Sequence, residues 1–201
     1  MPLSSPTSRR VLKHIRAIQI EAYARDDGLW DLDAHITDVK TRDMPAATGI
    51  RAAGVTVHDL WLRVTIDSAM NIVDAEAVSD SVPYPGFCNT IGPAYRSMIG
   101  LNLMKGLRHE LRLRLGGIHG CTHLTELAQI LPTAAVQAFA GEVTPVQGDA
   151  DRKPFQLDHC HALRTDGAAV AKYYPRWAVA QVDDSTPKSS IIQSASEGKL
   201  A

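Results

Sequence analysis

The sequence predicts an α+β fold: a four-stranded antiparallel sheet followed by helices packed on one face, with a C-terminal appendage. Three observations carry that prediction. Up to about residue 79, apolar residues recur at every second position, as on strands with one buried face. After Cys88 they recur every three or four positions, as on amphipathic helices. Turn-forming segments, Asp27-Gly28 and Asp67-Ser68-Ala69-Met70-Asn71, stand between the alternating runs, where hairpins need them.

Taken in order, residues 1–10, with Pro, Ser and Arg, read as a flexible arm. Residues 11–180 read as a single domain and 181–201 as a disordered tail. The first strand is expected near 14–24, where Ile18, Ile20 and Ala22 alternate with Gln19, Glu21 and Tyr23. The second is expected near 29–38, with Trp30, Leu32, Ala34 and Ile36 on one face and Asp31, Asp33, His35 and Thr37 on the other. Residues 43–54 hold Pro, Thr and Gly and read as a loop. A second hairpin follows near 56–66 and 72–79, its first strand carrying Leu60, Leu62, Val64 and Ile66 in phase. Pro83 and Pro85 end strand formation. Tyr95, Met98 and Ile99, then Leu107, Leu111 and Leu115, follow helical spacing until Gly116-Gly117. A further helix starts near Thr122, with Leu124, Leu127, Ala128, Leu131 and Ala135 on its apolar face. Pro132 is expected to kink or split it. Gly141 to Lys153 reads as a polar linker, and Phe155 to Trp177 as a last ordered unit.

The whole-chain balance excludes several classes. A net charge of -1 over 201 residues leaves no basic footprint for nucleic acid. The densest basic run, Arg108, Arg112 and Arg114, is broken by Glu110 and reads as a solvated helix face. No apolar stretch is long enough for a signal peptide or a membrane span. Three widely separated cysteines argue against a disulfide framework and for a reducing cytoplasm. Neither a nucleotide-binding glycine loop nor a Gly-x-Ser-x-Gly elbow occurs.

The chemistry concentrates around cysteine and histidine. Of eight histidines, four lie within two residues of a cysteine, in His119-Gly120-Cys121-Thr122-His123 and in His159-Cys160-His161. Cys and His ligate borderline metals and also supply nucleophile and base in thiol chemistry. Cys121 is expected to open a helix, where the dipole and free N–H groups favour a thiolate. His123 stands two residues on, and Glu126 one turn further, able to orient His123 or accept a proton. Cys160 and His161, with His159 as alternative, and Cys88 after the sheet, are further ligand candidates. Each cysteine also has a packing explanation, as a small buried residue. Asp31, Asp33, His35 and Asp38 crowd the polar face and end of one strand, by default a solvated face, but also a setting for an acid/base pair or a hard-metal site. His58, in phase with Leu60 and Leu62, reads as a hydrogen-bonded core histidine.

Several segments resemble a bacterial family catalogued as domain of unknown function 2889. They are Arg25 to Asp31, His35 to Lys40, His58 to Leu62, Asp74 to Ala77, Pro83 to Cys88, Gly120 to Leu127 and Cys160 to Leu163. The architecture is also similar to U-type iron–sulfur cluster scaffolds, which place one cysteine after a small sheet and another at a later helix start. Cys88 and Cys121 hold comparable places. Those scaffolds carry an additional cysteine in an early loop; none precedes Cys88 here, which counts against cluster assembly.

The leading expectation is a small cytoplasmic enzyme acting on a small organic molecule, with no nucleic-acid or membrane partner and with homo-oligomerisation open. It would depend on iron or zinc held by Cys121, His123, Cys160 or His161, and Cys88, for hydrolase, lyase or oxygenase chemistry. Cys121, His123, Glu126, His35 and Asp38 are the catalytic candidates. One alternative is a metal-free cysteine/histidine enzyme; another is a non-enzymatic metal or iron–sulfur scaffold. A shared site would bring Cys121 and Cys160 within roughly 10 Å.

Overall fold

A computed structural model of the chain describes residues 3–147 and 151–180, so the tail expected over 181–201 lies outside the described residues. The chain divides into two compact units, Met1–Val143 and Thr144–Ala201.

The first unit holds the sheet, in the order β1 (His14–Ala24), β2 (Trp30–Lys40), β5 (Thr56–Ile66), β6 (Ile72–Ser81), antiparallel throughout. This is the expected α+β plan. β1 and β2 pair without interruption from Ala24↔Trp30 to His14↔Lys40. Gly28 closes that hairpin at φ +82°, a left-handed conformation that glycine adopts without a Cβ penalty. The β5–β6 turn is held by the Asp67 carboxylate, which accepts from the backbone of Ala69 and Asn71 and from the Asn71 side chain.

Residues 43–54, expected as a loop, instead contain a small hairpin of β3 (Met44–Ala46) and β4 (Gly49–Arg51). Three-residue strands are too short to show a period, so the pattern could not announce them.

Leu32, Ala34 and Ile36 from β2, and Leu60, Leu62, Val64 and Ile66 from β5, form one fully buried sheet face. Against it pack α1 (Leu107–Leu115) through Leu107, Leu111 and Leu115, and α2 (Thr122–Phe139) through Leu124, Leu127, Leu131 and Ala135. The other sheet face carries exposed Tyr23, Trp61 and Val78. Tyr95 and Met98 lie on a 3₁₀ turn, Gly92–Met98, whose period of three also places them inward. α2 runs continuously through Pro132, so the expected split does not occur. Among the described residues no helix is long and apolar enough to cross a membrane.

The second unit carries α3 (Ala168–Tyr173) and a turn organised by Asp158. The Asp158 carboxylate accepts from the Thr165 backbone at 2.8 Å and pairs with Lys153 at 2.5 Å.

Candidate functional site

The alternation of β2 does not stop at Ile36. Asp38 lies two residues further in the same phase and is 3% exposed, on the helix-covered side of the sheet. The expectation that grouped it with Asp31, Asp33 and His35 on the polar face is therefore corrected by the pleat itself. Register supplies its neighbours: Arg16 on β1 and His58 on β5 stand directly opposite. Arg16, Asp38 and His58 form one row across three strands.

A buried carboxylate must be paired, and Asp38 is. Arg16 grips it as a fork, Nε to Oδ1 and Nη2 to Oδ2, both at 2.9 Å. His14 Nε2 donates to Oδ1 at 2.7 Å, and His58 Nδ1 to Oδ2 at 2.9 Å. Burial alone would raise the pKa of Asp38, but the hydrogen bonds from Arg16 and His14 and the Arg16 charge hold it well below the usual carboxylate range. It is an anion throughout the physiological range. Since Asp38 can only accept, His58 must carry its proton on Nδ1, which leaves Nε2 as a free base in the neutral ring.

The start of α2 faces this row. Cys121 is its N-cap residue, with extended backbone angles, and His123 follows in the first turn. His123 Nδ1 lies 3.9 Å from Cys121 Sγ, and His123 Nε2 lies 3.6 Å from Asp38 Oδ2. The imidazole thus stands between a thiol and a carboxylate. Its ring packs on His58 at 3.8 Å between centroids. Burial, chiefly, holds both histidines below their ordinary basicity; Asp38 opposes this, and Arg16 reinforces it.

Buried Tyr95 fixes the cap. Its hydroxyl donates to the Cys121 carbonyl at 2.8 Å and accepts the Cys121 N–H at 3.0 Å, while Thr125 Oγ1 lies 2.8 Å away. Gly120 approaches the end of α1 so closely that a Cβ would stand 2.3 Å from the Leu115 carbonyl oxygen. The turn before Cys121 therefore requires glycine.

His58, Cys121 and His123 line a cavity of about 700 Å³ together with Tyr84, Phe87 and Cys88. Cys88 and Cys121 both line this cavity. Glu126 does not bond to His123; its carboxylate takes Arg16 Nη1 at 2.6 Å. His35 is on the opposite sheet face from Asp38, bonded to Asp59 at 2.7 Å and stacked on Trp61. Cys160 and His161 belong to the second unit, where Cys160 is exposed and precedes a 3₁₀ turn that His161 begins.

His58, His14 and Arg16 are site members that sequence reasoning did not place. Their signal was present: polar residues in phase with Leu60 on one strand and Ile18 on the other. Among the described residues, ligand atoms of Asp38, His58 and His123 lie within 4.8 Å of one another, close enough to share a metal ion. Binding there would compete with the hydrogen bonds Asp38 already accepts and would place a cation beside Arg16.

A family profile described as protein of unknown function (DUF2889) matches residues 14–137. Comparison with curated proteins and with solved structures returns no match.

Proposed function

The chain belongs to that family of unknown function, and from the arrangement at the start of α2 we propose a cysteine-dependent enzyme that transfers or hydrolyses the acyl group of a small organic molecule. One observation carries this reading: the two ring nitrogens of His123 face Cys121 Sγ at 3.9 Å and Asp38 Oδ2 at 3.6 Å. That is the order nucleophile, base, orienting carboxylate.

In the proposed reaction His123 Nδ1 takes the thiol proton, and the Cys121 sulfur attacks the acyl carbonyl carbon. The S–C bond forms, the bond to the leaving group breaks, and the leaving group departs with the proton from His123. Water, deprotonated by His123 or by His58 Nε2, then releases the acid and restores the thiol. Asp38 stays ionised and stabilises the imidazolium. The first N–H groups of α2, from Thr122 to Leu124, lack intrahelical partners and can receive the developing oxyanion. A cytoplasmic setting is supported by the three free cysteines.

Convergence of Asp38, His58 and His123 favours a second reading, a mononuclear iron or zinc enzyme in which these three side chains are the ligands. The hydrogen bonds already saturating Asp38 weigh toward the thiol reading. One experiment separates them. Purified protein is treated with iodoacetamide, assayed by intact mass, and analysed for metal. The thiol reading expects rapid alkylation at Cys121, lost in Cys121→Ser and kept in Cys88→Ser, at a rate independent of chelators. About one iron or zinc per chain, removed by His58→Ala or His123→Ala, would establish the metal reading instead.

A further inference from the structure

The cavity over Cys121 has a composition of its own. Among the described residues no lysine, arginine, aspartate or glutamate lines it. Arg16 and Asp38, which act on both cavity histidines, are bonded to each other. The histidines that reach the cavity are held toward their neutral forms by burial. A charged group laid against its walls away from the start of α2 would lose water without gaining an ionic partner.

Beside the hydroxyl residues Ser79, Thr90 and Thr122, its walls carry exposed apolar side chains. Phe87 is 81% exposed, Tyr84 50% and Ile118 93%. Yet the turn that carries the two aromatic residues is tied down. The Tyr84 carbonyl accepts from the Phe87 and Cys88 N–H groups at 3.1 and 3.0 Å. The Phe87 carbonyl accepts from Thr90 Oγ1 at 2.7 Å, and Asn89 Oδ1 takes the Gly86 N–H at 2.7 Å. A large apolar side chain held out on a fixed turn is already positioned to cover a ligand, with little left to order on binding.

We infer that this cavity binds an uncharged, apolar group of the size of one or two aromatic rings, laid against Tyr84, Phe87 and Ile118 with its reactive end toward Cys121. The volume of about 700 Å³ lies within the range of pockets that enclose such molecules. The inference names the substrate class of the proposed acyl-transfer site and rests on that reading only for the fate of the bound group.

The test has a binding arm and a reaction arm. In the first, 2-naphthol and 2-naphthoate are titrated against Cys121→Ser protein at pH 7.5 by calorimetry. Naphthol is expected to bind saturably and naphthoate about tenfold more weakly or worse, with Phe87→Ala weakening naphthol about fivefold at an unchanged unfolding midpoint. Equal binding of the two, no saturable binding, or indifference to Phe87→Ala overturns the inference. In the second arm, wild-type protein is incubated with 4-nitrophenyl benzoate and mono-4-nitrophenyl succinate, and adducts are read by intact mass. Faster benzoylation of Cys121 supports both proposals, whereas faster succinylation overturns the apolar preference. Absence of any adduct and of any Cys121-dependent release of 4-nitrophenol, alongside the naphthol preference, removes the acyl-transfer reading and leaves the binding inference standing.

Discussion

Asp38 shows how one residue can organise a site. It is a carboxylate with 3% exposure, and its two oxygens meet an arginine fork, two imidazoles and, at longer range, a third. Asp38→Asn keeps the shape and removes the charge. Its amide must then offer N–H groups to donors, leaving Arg16 with Glu126 as its remaining ionic partner. We expect a loss of about 2–4 kcal/mol in urea unfolding, in the range for breaking a buried hydrogen-bonded charge pair. His123→Gln, by contrast, should leave stability nearly unchanged. It should slow Cys121 alkylation at neutral pH by about 10²-fold or more, as loss of a general base does. If His123 is only a helix-end packing residue, the alkylation rate will not move. The acid limb of the wild-type alkylation profile should fall below pH 6.5, the ordinary histidine value, because burial favours the neutral imidazole.

At the scale of elements, the strands were legible because their period is two and one face is buried. Trp30, Leu32, Ala34 and Ile36 alone are enough to place β2 and to choose its inward face. The same rule, carried two residues further, puts Asp38 inward. It was missed because a charged residue at a strand end is ordinarily solvent-facing, and nothing local shows the arginine that pairs with it 22 residues earlier. Cys121 and His123 were legible because the glycine turn and apolar periodicity mark a helix start. The partner of Glu126 was not, since contact with Arg16 spans 110 residues and depends on how α2 lies on the sheet. Tyr95 presents the same limit: its spacing marks it as a core residue, while its hydroxyl serves the Cys121 backbone. Tyr95→Phe should therefore do more than trim a buried hydroxyl. It leaves the Cys121 N–H without that partner, and we expect about 1–3 kcal/mol of destabilisation, with slower Cys121 alkylation, measured together on one preparation. A stability loss with unaltered alkylation would mean that the clamp does not position the thiol.

For the first unit as a whole, the same network contributes to the response to acid, because three of its members that titrate below neutrality change affinity for protons on folding. His58 and His123 are less basic in the folded chain than in the unfolded one. As pH falls below about 6.5, the unfolded state takes up protons first, so stability declines as pH drops through the folded values. Asp38 is more acidic in the folded state, so its contribution is intact above about pH 3.9 and is lost below that. The two effects have the same sign and occupy different windows. Urea midpoints measured from pH 8 to pH 3 should be flat at first, decline as pH falls below about 6.5, and decline again, more steeply, below about pH 4. The double variant His58→Gln/His123→Gln should lose the first decline and retain the second. Asp38→Asn should make the second shallower, since Asp27 and Asp67 of the same unit are also more acidic in the folded chain and keep part of it. A wild-type profile that stays flat from pH 8 to 4 would mean that neither imidazole is kept neutral by the fold, and would remove the electrostatic basis for His123 as a ready base beside Cys121.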